Sequence, residues 1–536
     1  MDQGDGLYVI NERTIAVRPA VLESVRYCLN LGFRKGAAGK SEYPAHVEFV
    51  EVRNAREKLP VHEYYATFDN ESPQSASPRA DSGAMTSSTG GYRLPKGRAD
   101  PTNSARRENR RKSRRKRLER ILYRTAGLPV ALRLVVRRRS NGIGHIVPIF
   151  VRSFWRPQNI DRWAELVCSI LLLPLTLPAI ITLFTARNGA TICERHGIGI
   201  LRQIAQQLRL YLSAGILPPW YYMFELYLEP TTARALSYIQ RFETHEGVYA
   251  ALRPSNGTPL NDKKAFADWC SSFGIPHVSY LSCVECGSEP TGPLPLTDLF
   301  VKPRIGRGGR GAERWDYVGN GSFEGIGGVR LTAEQLIMRL GLLARGESIL
   351  VQPFLMNHRD VRDLSTGALS TVRVLTCLDE ENYPQFIGAA FRMSIGSNRT
   401  VDNFHAGGIA CAVSRRGGTL CQATDAGLDA SLGWLSVHPD TGAMIEGRSL
   451  PFWEEVKSVA VRAHRAFNDR KLIGWDIAIL DSGPIVVEGN SSADLDILQR
   501  TARAGLAKSR LDQLMAFHIG ESLRAADLTL PRPCRA

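Results

Sequence analysis

The stretch VVEGNSSADLDILQ, Val486 to Gln499, opens as a buried strand and then sets Glu488 and Asn490 two residues apart. Side chains alternate across a strand, so positions 488 and 490 share one face. A core strand that ends in two oxygen-bearing side chains on one face calls for a group that takes oxygen ligands. The preceding segment, LIGWDIAILDSGPIVVEGN, reads as two apolar strands around a Ser-Gly-Pro turn, a hairpin pattern. With the three-residue loop Ser482 to Pro484, Asp481 pairs with Ile485, Asp476 falls opposite Asn490, and Glu488 lies on the same face. Oxygen donors so arranged suit Mg2+, or Mn2+ in its place, because such an ion takes few carboxylates and keeps the rest of its octahedron for water and phosphate. Polar residues meeting solvent at a strand end would account for any one of the three, and poorly for the set.

Such a metal calls for a phosphate cradle. DLFVKPRIGRGGRGAERWDYV supplies a candidate, with Lys302 at the end of a strand and the loop Gly306, Arg307, Gly308, Gly309, Arg310, Gly311 after it. Glycine tolerates the dihedrals that bring backbone N–H groups close to phosphate, and the two arginines add charge. No Gly-Lys-Ser/Thr follows, so this is not a Walker loop.

The chain has 536 residues, enough for two or three packed units with linkers, and a formal charge of +15. Between Arg106 and Arg139 stand 15 basic residues against two acidic ones, a local +13 that leaves about +2 for the remainder. The expected organisation is a small α+β unit over 1–68, a disordered linker with the basic arm over 69–160, an apolar helical segment over 161–244, and an α+β domain over 245–525. Within the first unit, AVLESVRYCLNLGF reads as a helix between alternating runs. The ten cysteines are scattered and no secretory signal opens the sequence, so a cytoplasmic setting is expected. Cys283 and Cys286 are two ligands only, too few to close a zinc shell.

Leu166 to Phe184 runs nineteen residues without a charge, close to bilayer thickness, although Pro174 and Pro178 argue against a straight span. Two readings stand. One is a re-entrant or interfacial segment on the cytoplasmic membrane face, or a hairpin completed by Leu210 to Leu228, with the basic arm 106–139 adding attraction to anionic lipid. The other is a helical pair in a soluble core. The arm lacks interleaved aromatic residues, which speaks against nucleic acid as its partner.

The order of strand lysine, Gly-rich loop, SILVQPFL and a distal Asp…Glu-x-Asn resembles the ATP-grasp superfamily. More specifically, the chain is similar to the sugar-transfer associated ATP-grasp family, related to α-L-glutamate ligases, on the phrases STVRVLT (Ser370 to Thr376), DNFHAGGIA (Asp402 to Ala410) and PPWYYMFELY (Pro218 to Tyr227). The resemblance covers about residues 160 to 520. It implies two α+β subdomains clasping ATP, with a lid over about 299–356. It also implies that Lys263, with its neighbour Lys264 an open alternative, is the first nucleotide lysine and Lys302 the second. Gln352, Phe354 and Leu355 then fall in the hinge whose backbone reads adenine, with Gln352 standing where an acid is common. Arg373, and less strongly Arg392, would stabilise charge during transfer. Asn403, His405, Gly407 and Gly408 form a loop that closes on the γ-phosphate or the metal held by Asp476, Glu488 and Asn490. Asp494 and Asp496 read as acids favoured at a helix N-terminus.

Such a site activates a carboxylate. The resemblance implies an ADP-forming ligase that makes an acyl phosphate, which an amine or related nucleophile captures, in cell-surface sugar or polysaccharide metabolism with a small-molecule or lipid-linked sugar substrate. A nucleotide-sensing module without turnover would be expected to lack a ligand or a lysine, and Lys263, Lys302, Arg373, Asp476, Glu488 and Asn490 are all present.

Overall fold

Alternating runs such as HVEFVEVR correspond to a four-stranded antiparallel sheet, β1 (Leu7–Asn11), β2 (Thr14–Val17), β3 (His46–Arg53) and β4 (His62–Asp69), in the order β1-β2-β4-β3. The computed structural model describes these strands and residues 160–529, apart from 245–248, 250–251, 253–256, 307–308, 310, 397–399, 401, 403, 430–431 and 508. The expected N-terminal helix, the linker and the basic arm lie outside the described residues. Met1–Arg98 and Ala99–Ala536 are separate compact units, and all that follows concerns the second.

The uncharged stretch 166–184 lies inside one helix, α1 (Ile160–His196), continuous through Pro174 and Pro178. Next come α2 (Ile200–Ala214) and α3 (Pro218–Met223). Of Leu210 to Leu228, expected as one option to complete a membrane hairpin, residues 214–227 are protein interior instead, while Leu212 stays exposed. Trp220, Tyr221, Tyr222 and Leu226 are at most 5% exposed. Two prolines start α3 where their missing N–H groups are harmless. Its rings then pack on one another, with Tyr221 and Tyr222 edge to face at 4.8 Å. The chain just beyond it is tied to a distant segment: Gln499 bonds both the N–H (2.9 Å) and the carbonyl (2.8 Å) of Ile239.

Beyond α4 (Lys263–Ser272), a first sheet holds β5 (Ser282–Val284), β6 (Leu299–Pro303), β7 (Glu313–Gly319), β8 (Ser322–Gly325), β9 (Arg330–Thr332) and β10 (Ile349–Pro353). Their order is β5-β10-β6-β7-β8-β9. This sheet starts before the expected lid boundary, because β5 pairs with β10. Leu299 and Val301 point to α5 (Ala333–Ala344), forming a core with Trp315, Phe323 and Leu336. Period-two alternation turns Phe300 and Lys302 to the opposite face.

The second sheet is antiparallel and has seven strands: β11 (Thr371–Leu378), β12 (Pro384–Met393), β13 (Ile409–Val413), β14 (Leu420–Thr424), β15 (Trp434–Leu435), β16 (Leu472–Leu480) and β17 (Gly483–Asn490). Their order is β15-β14-β13-β12-β11-β16-β17. One face, with Val372, Val374, Ile473 and Trp475, is covered by α6 (Trp453–Ala466), whose Trp453, Val456, Val459, Ala460 and Ala463 recur at helical spacing. The other face is split. Leu375, Cys377 and Leu472 pack under α7 (Asp496–Ala502) and α8 (Arg510–Thr529). The end of that face bearing Thr371, Arg373, Arg392, Asp476 and Glu488 carries the polar groups.

Candidate active site

The β16–β17 register differs from the sequence expectation. Leu480 pairs with Gly483, so the loop is the two residues Asp481 and Ser482, and a bulge near Val487 puts Asp476 opposite Glu488 and Gly474 opposite Asn490. Without the bulge, a two-residue turn would set Asp476 opposite Val487 and turn Glu488 to the other face. The three predicted ligands still converge: Asp476 bonds Glu488, and Asn490 Nδ2 donates to Glu488 Oε1 at 3.2 Å.

Arg373 pairs with Asp476 through Nε to Oδ1 at 2.5 Å and Nη2 to Oδ2 at 3.2 Å. Arg392 Nη2 bridges Asp476 Oδ2 (3.0 Å) and Asp402 Oδ1 (3.2 Å), and its Nε donates to Thr371 Oγ1 at 3.0 Å. Both arginines are thus held by carboxylates from other segments, Asp476 on the neighbouring strand β16 and Asp402 in the loop between β12 and β13. Burial pushes the Asp476 carboxyl up, but Arg373 and Arg392 outweigh it and hold it at about 2. Glu488 moves the other way, raised by burial and then by the charge on Asp476. Asp402 and Thr371 are 31 residues apart and were not assigned from sequence. The available signal was charge balance: two arginines in apolar strands need a second anion besides Asp476.

Across the cleft, Lys302 is only 9% exposed. Burial brings its ammonium down to about 8; Glu488 acts against that, and nearby Lys263 adds to it. Lys263 opens α4, where the Asp262 side chain caps the helix, and its Nζ donates to Gly306 O at 3.0 Å. Lys264 turns away, to Asp268 at 2.9 Å. The structure therefore brings Lys263, not Lys264, together with Lys302, Gly306 and Glu488. Gly309 and Gly311 have φ of 68° and 73°, which a side chain would strain. Gly308, Arg310 and Asn403 lie outside the described residues.

Gln352 shares the Lys302 face of the first sheet, and its side chain is spent on Val278 O (3.4 Å) and Ser279 O (3.2 Å). The Phe354 amide donates to Asp298 O (2.9 Å), and its ring carries the Arg314 guanidinium at 3.9 Å. Leu355 follows two residues beyond the end of β10, partly exposed.

Asp494 and Asp496 are more than helix-terminal acids. Asp494 takes Arg241 Nε at 2.9 Å and His405 Nε2 at 3.0 Å, while Asp496 accepts from Trp220 Nε1 at 3.3 Å. Burial and the neighbouring Asp494 raise the Asp496 carboxyl to about 6. A cavity of about 330 Å³, which none of these residues lines, is bordered by Arg195, Glu225, Tyr227, Trp434 and Arg500 among others. Gly407 and Gly408 lead from the His405 turn into β13.

The donor set fits Mg2+. Glu488 and Asn490 lie together beside Asp476, whose own oxygens pair with Arg373 and Arg392, and carboxylate and amide oxygens are the donor types such an ion takes. Among the described residues no group of three or more His, Cys, Asp or Glu converges, so the amide oxygen of Asn490 would supply the third ligand.

Solved structures similar to this chain include three that it spans only in part. They are the D-alanine-D-alanine ligase of Coxiella burnetii (10% identity, 50% of this chain and 60% of that one, TM-score 0.28), an L-amino acid ligase of Bacillus licheniformis (9%, 48% and 48%, 0.28) and a biotin carboxylase of Campylobacter jejuni (10%, 49% and 46%, 0.29). At such TM-scores these likenesses carry no weight below. No curated protein matches the sequence. Residues 255–515 match the family model described as sugar-transfer associated ATP-grasp. That range contains both sheets, both cleft lysines and the Asp476–Glu488–Asn490 hairpin, and it forms an ATP-grasp domain of the sugar-transfer associated family.

Proposed function

We propose that this chain is an ADP-forming ligase that activates a carboxylate with ATP and joins it to an amine or related nucleophile. The carrying observation is the convergence of Lys263 and Lys302 from one side of the cleft on Glu488, which lies beside Asp476 and Arg373 on the other. In the first step a substrate carboxylate oxygen bonds to the γ-phosphorus as the bond to the β-bridging oxygen breaks, and ADP leaves. In the second the nucleophile bonds to the acyl carbon, phosphate leaves, and the nucleophile gives up its proton. Bound Mg2+, held by Asp476, Glu488 and Asn490, supplies charge neutralisation to the polyphosphate. Lys263 and Lys302 bind phosphate oxygens beside the Gly306 carbonyl that Lys263 already contacts. Arg373 offers positive charge where the transferred phosphoryl group develops negative charge. No protein nucleophile is needed, because positioning and electrostatics carry such transfers. The substrate class is a small-molecule or lipid-linked sugar of the cell surface, which the family's description supports, and the use of ATP supports the cytoplasmic side.

A nucleotide-sensing module without turnover is the second reading, favoured by the engagement of both Asp476 oxygens with Arg373 and Arg392. ³¹P spectroscopy of ATP with Mg2+ and a cell-envelope extract separates the two. ADP and phosphate formed by the wild type and not by Glu488→Gln support the ligase. AMP and pyrophosphate overturn it, and tight ATP binding without turnover favours the sensor.

A further inference from the structure

Polarity is inverted in α2. Its inward face carries Gln203 and Gln207, at most 1% exposed. Gln203 Nε2 donates to Gly189 O (2.9 Å) and Ile198 O (2.6 Å), and Gln207 Nε2 to Thr185 Oγ1 (2.8 Å). Its outward face carries Leu201, Leu208 and Leu212, which are 83%, 42% and 50% exposed. Ala205, also exposed, lies between them. The spacing keeps these four within an arc of about 60°. A helix facing water reverses this arrangement, since amides are well hydrated and leucines are not. The inward face is apolar only at the helix end, where Leu210 and Tyr211 join the α1 core, and is amide along its first half.

Charge and continuity mark what covers the leucines. Arg202 and Arg209 are both exposed and flank the stripe on one side, and α2 contains no acidic residue. The contacts from 203 to 189 and from 207 to 185 run antiparallel, so Leu212 comes abreast of Ile180. Beyond that level runs the first half of α1, where Val167, Leu171 and Leu175 are 50%, 72% and 70% exposed.

We propose that this surface docks on the anionic face of a lipid bilayer. The α2 stripe and the first half of α1 enter the headgroup–acyl boundary of one leaflet, and Arg202 and Arg209 meet lipid phosphates. The surface does not cross the membrane. Ile180, Ile181 and Phe184 are buried in the protein, which leaves Trp163 to Ala179, about 25 Å of helix against a hydrocarbon core of about 30 Å. A second copy is a poor occupant, because two-fold pairing of the stripe sets like-charged arginine pairs near one another. The chain's own 106–139 segment, with its local +13, is repelled by the same charges. The inference is independent of the ligase reading.

Flotation of the full chain with vesicles tests it. Phosphatidylcholine vesicles are compared with ones containing roughly one-third phosphatidylglycerol, and binding to the anionic set is expected to be at least about tenfold stronger. Leu201→Ser with Leu208→Ser and Leu212→Ser is expected to lower that binding about tenfold or more, and Arg202→Glu with Arg209→Glu to remove the anionic preference. These positions are exposed, so wild-type circular dichroism is expected for both variants. Three results overturn the proposal: no vesicle binding by the wild type, serine variants that bind like the wild type, or a wild-type dimer that the serine substitutions dissociate while vesicles remain unbound.

Discussion

Lys302 and Glu488 face each other in a cleft that has removed both from water, and each is shifted toward its neutral form. ATP brings negative charge that favours the ammonium of Lys302. Nucleotide affinity is therefore expected to be greatest below pH 8 and to weaken above it by up to about tenfold per pH unit. Calorimetric titration from pH 7 to 10 reads that slope, and Lys302→Arg is expected to flatten it. For Glu488 the folded-state pKa is raised, so its contribution to stability is favourable below the unfolded value and lost as pH rises through the folded one. At neutral pH the carboxylate thus opposes folding, and Glu488→Gln is expected to melt about 2–4 °C higher without nucleotide while losing turnover. Asp476→Asn is the contrast. It strips the anion from between Arg373 and Arg392 and is expected to lower stability by about 3 kcal/mol or more by denaturant titration.

At the scale of elements, α6 is locked onto the second sheet by more than its apolar stripe. His464 Nε2 donates to Arg470 O (2.8 Å), so its Nδ1 accepts from Thr376 Oγ1 (2.7 Å), and Trp475 Nε1 donates to the same threonine oxygen (2.8 Å). Burial brings the His464 imidazole down to about 4. With a depressed folded-state value, its stabilisation is complete above the unfolded value of about 6.5 and is lost as pH falls from there to about 4. The expected loss is roughly 2–4 kcal/mol over that window. His464→Gln is expected to remove this part of the pH dependence in urea titrations from pH 4 to 7. The β16–β17 hairpin makes the complementary point about elements: its bulge, invisible in residue type, keeps Asp476 and Glu488 on one face.

At the scale of the whole molecule, the 214–244 segment packs as a wall against the domain that carries the second sheet. Arg500, 4% exposed, joins α7 to that wall through Glu225 Oε1 (3.2 Å) and Met223 O (2.8 Å), with its guanidinium 5.0 Å from the Trp434 ring centre. Arg500→Ala leaves Glu225 buried and unpaired and is expected to lower stability by about 3–5 kcal/mol, while Arg500→Met with Glu225→Met recovers most of the loss in chemical denaturation. The sequence by itself determined the alternation that builds both sheets, the Gly-rich turn after Lys302 and the Asp…Glu-x-Asn set, because these depend on local periodicity and residue chemistry. It left undecided whether Lys263 or Lys264 faces the cleft, which helix N-terminal geometry resolves, and it misplaced the 476–490 register, which a single bulge sets. Only tertiary structure decided that Asp402 shares Arg392 with Asp476, that Asp494 holds His405 and Arg241, and that the aromatic run from Trp220 is interior. Those are contacts between segments far apart in the chain, formed where burial leaves a charge or an amide needing a partner, and no local pattern encodes which distant residue supplies it.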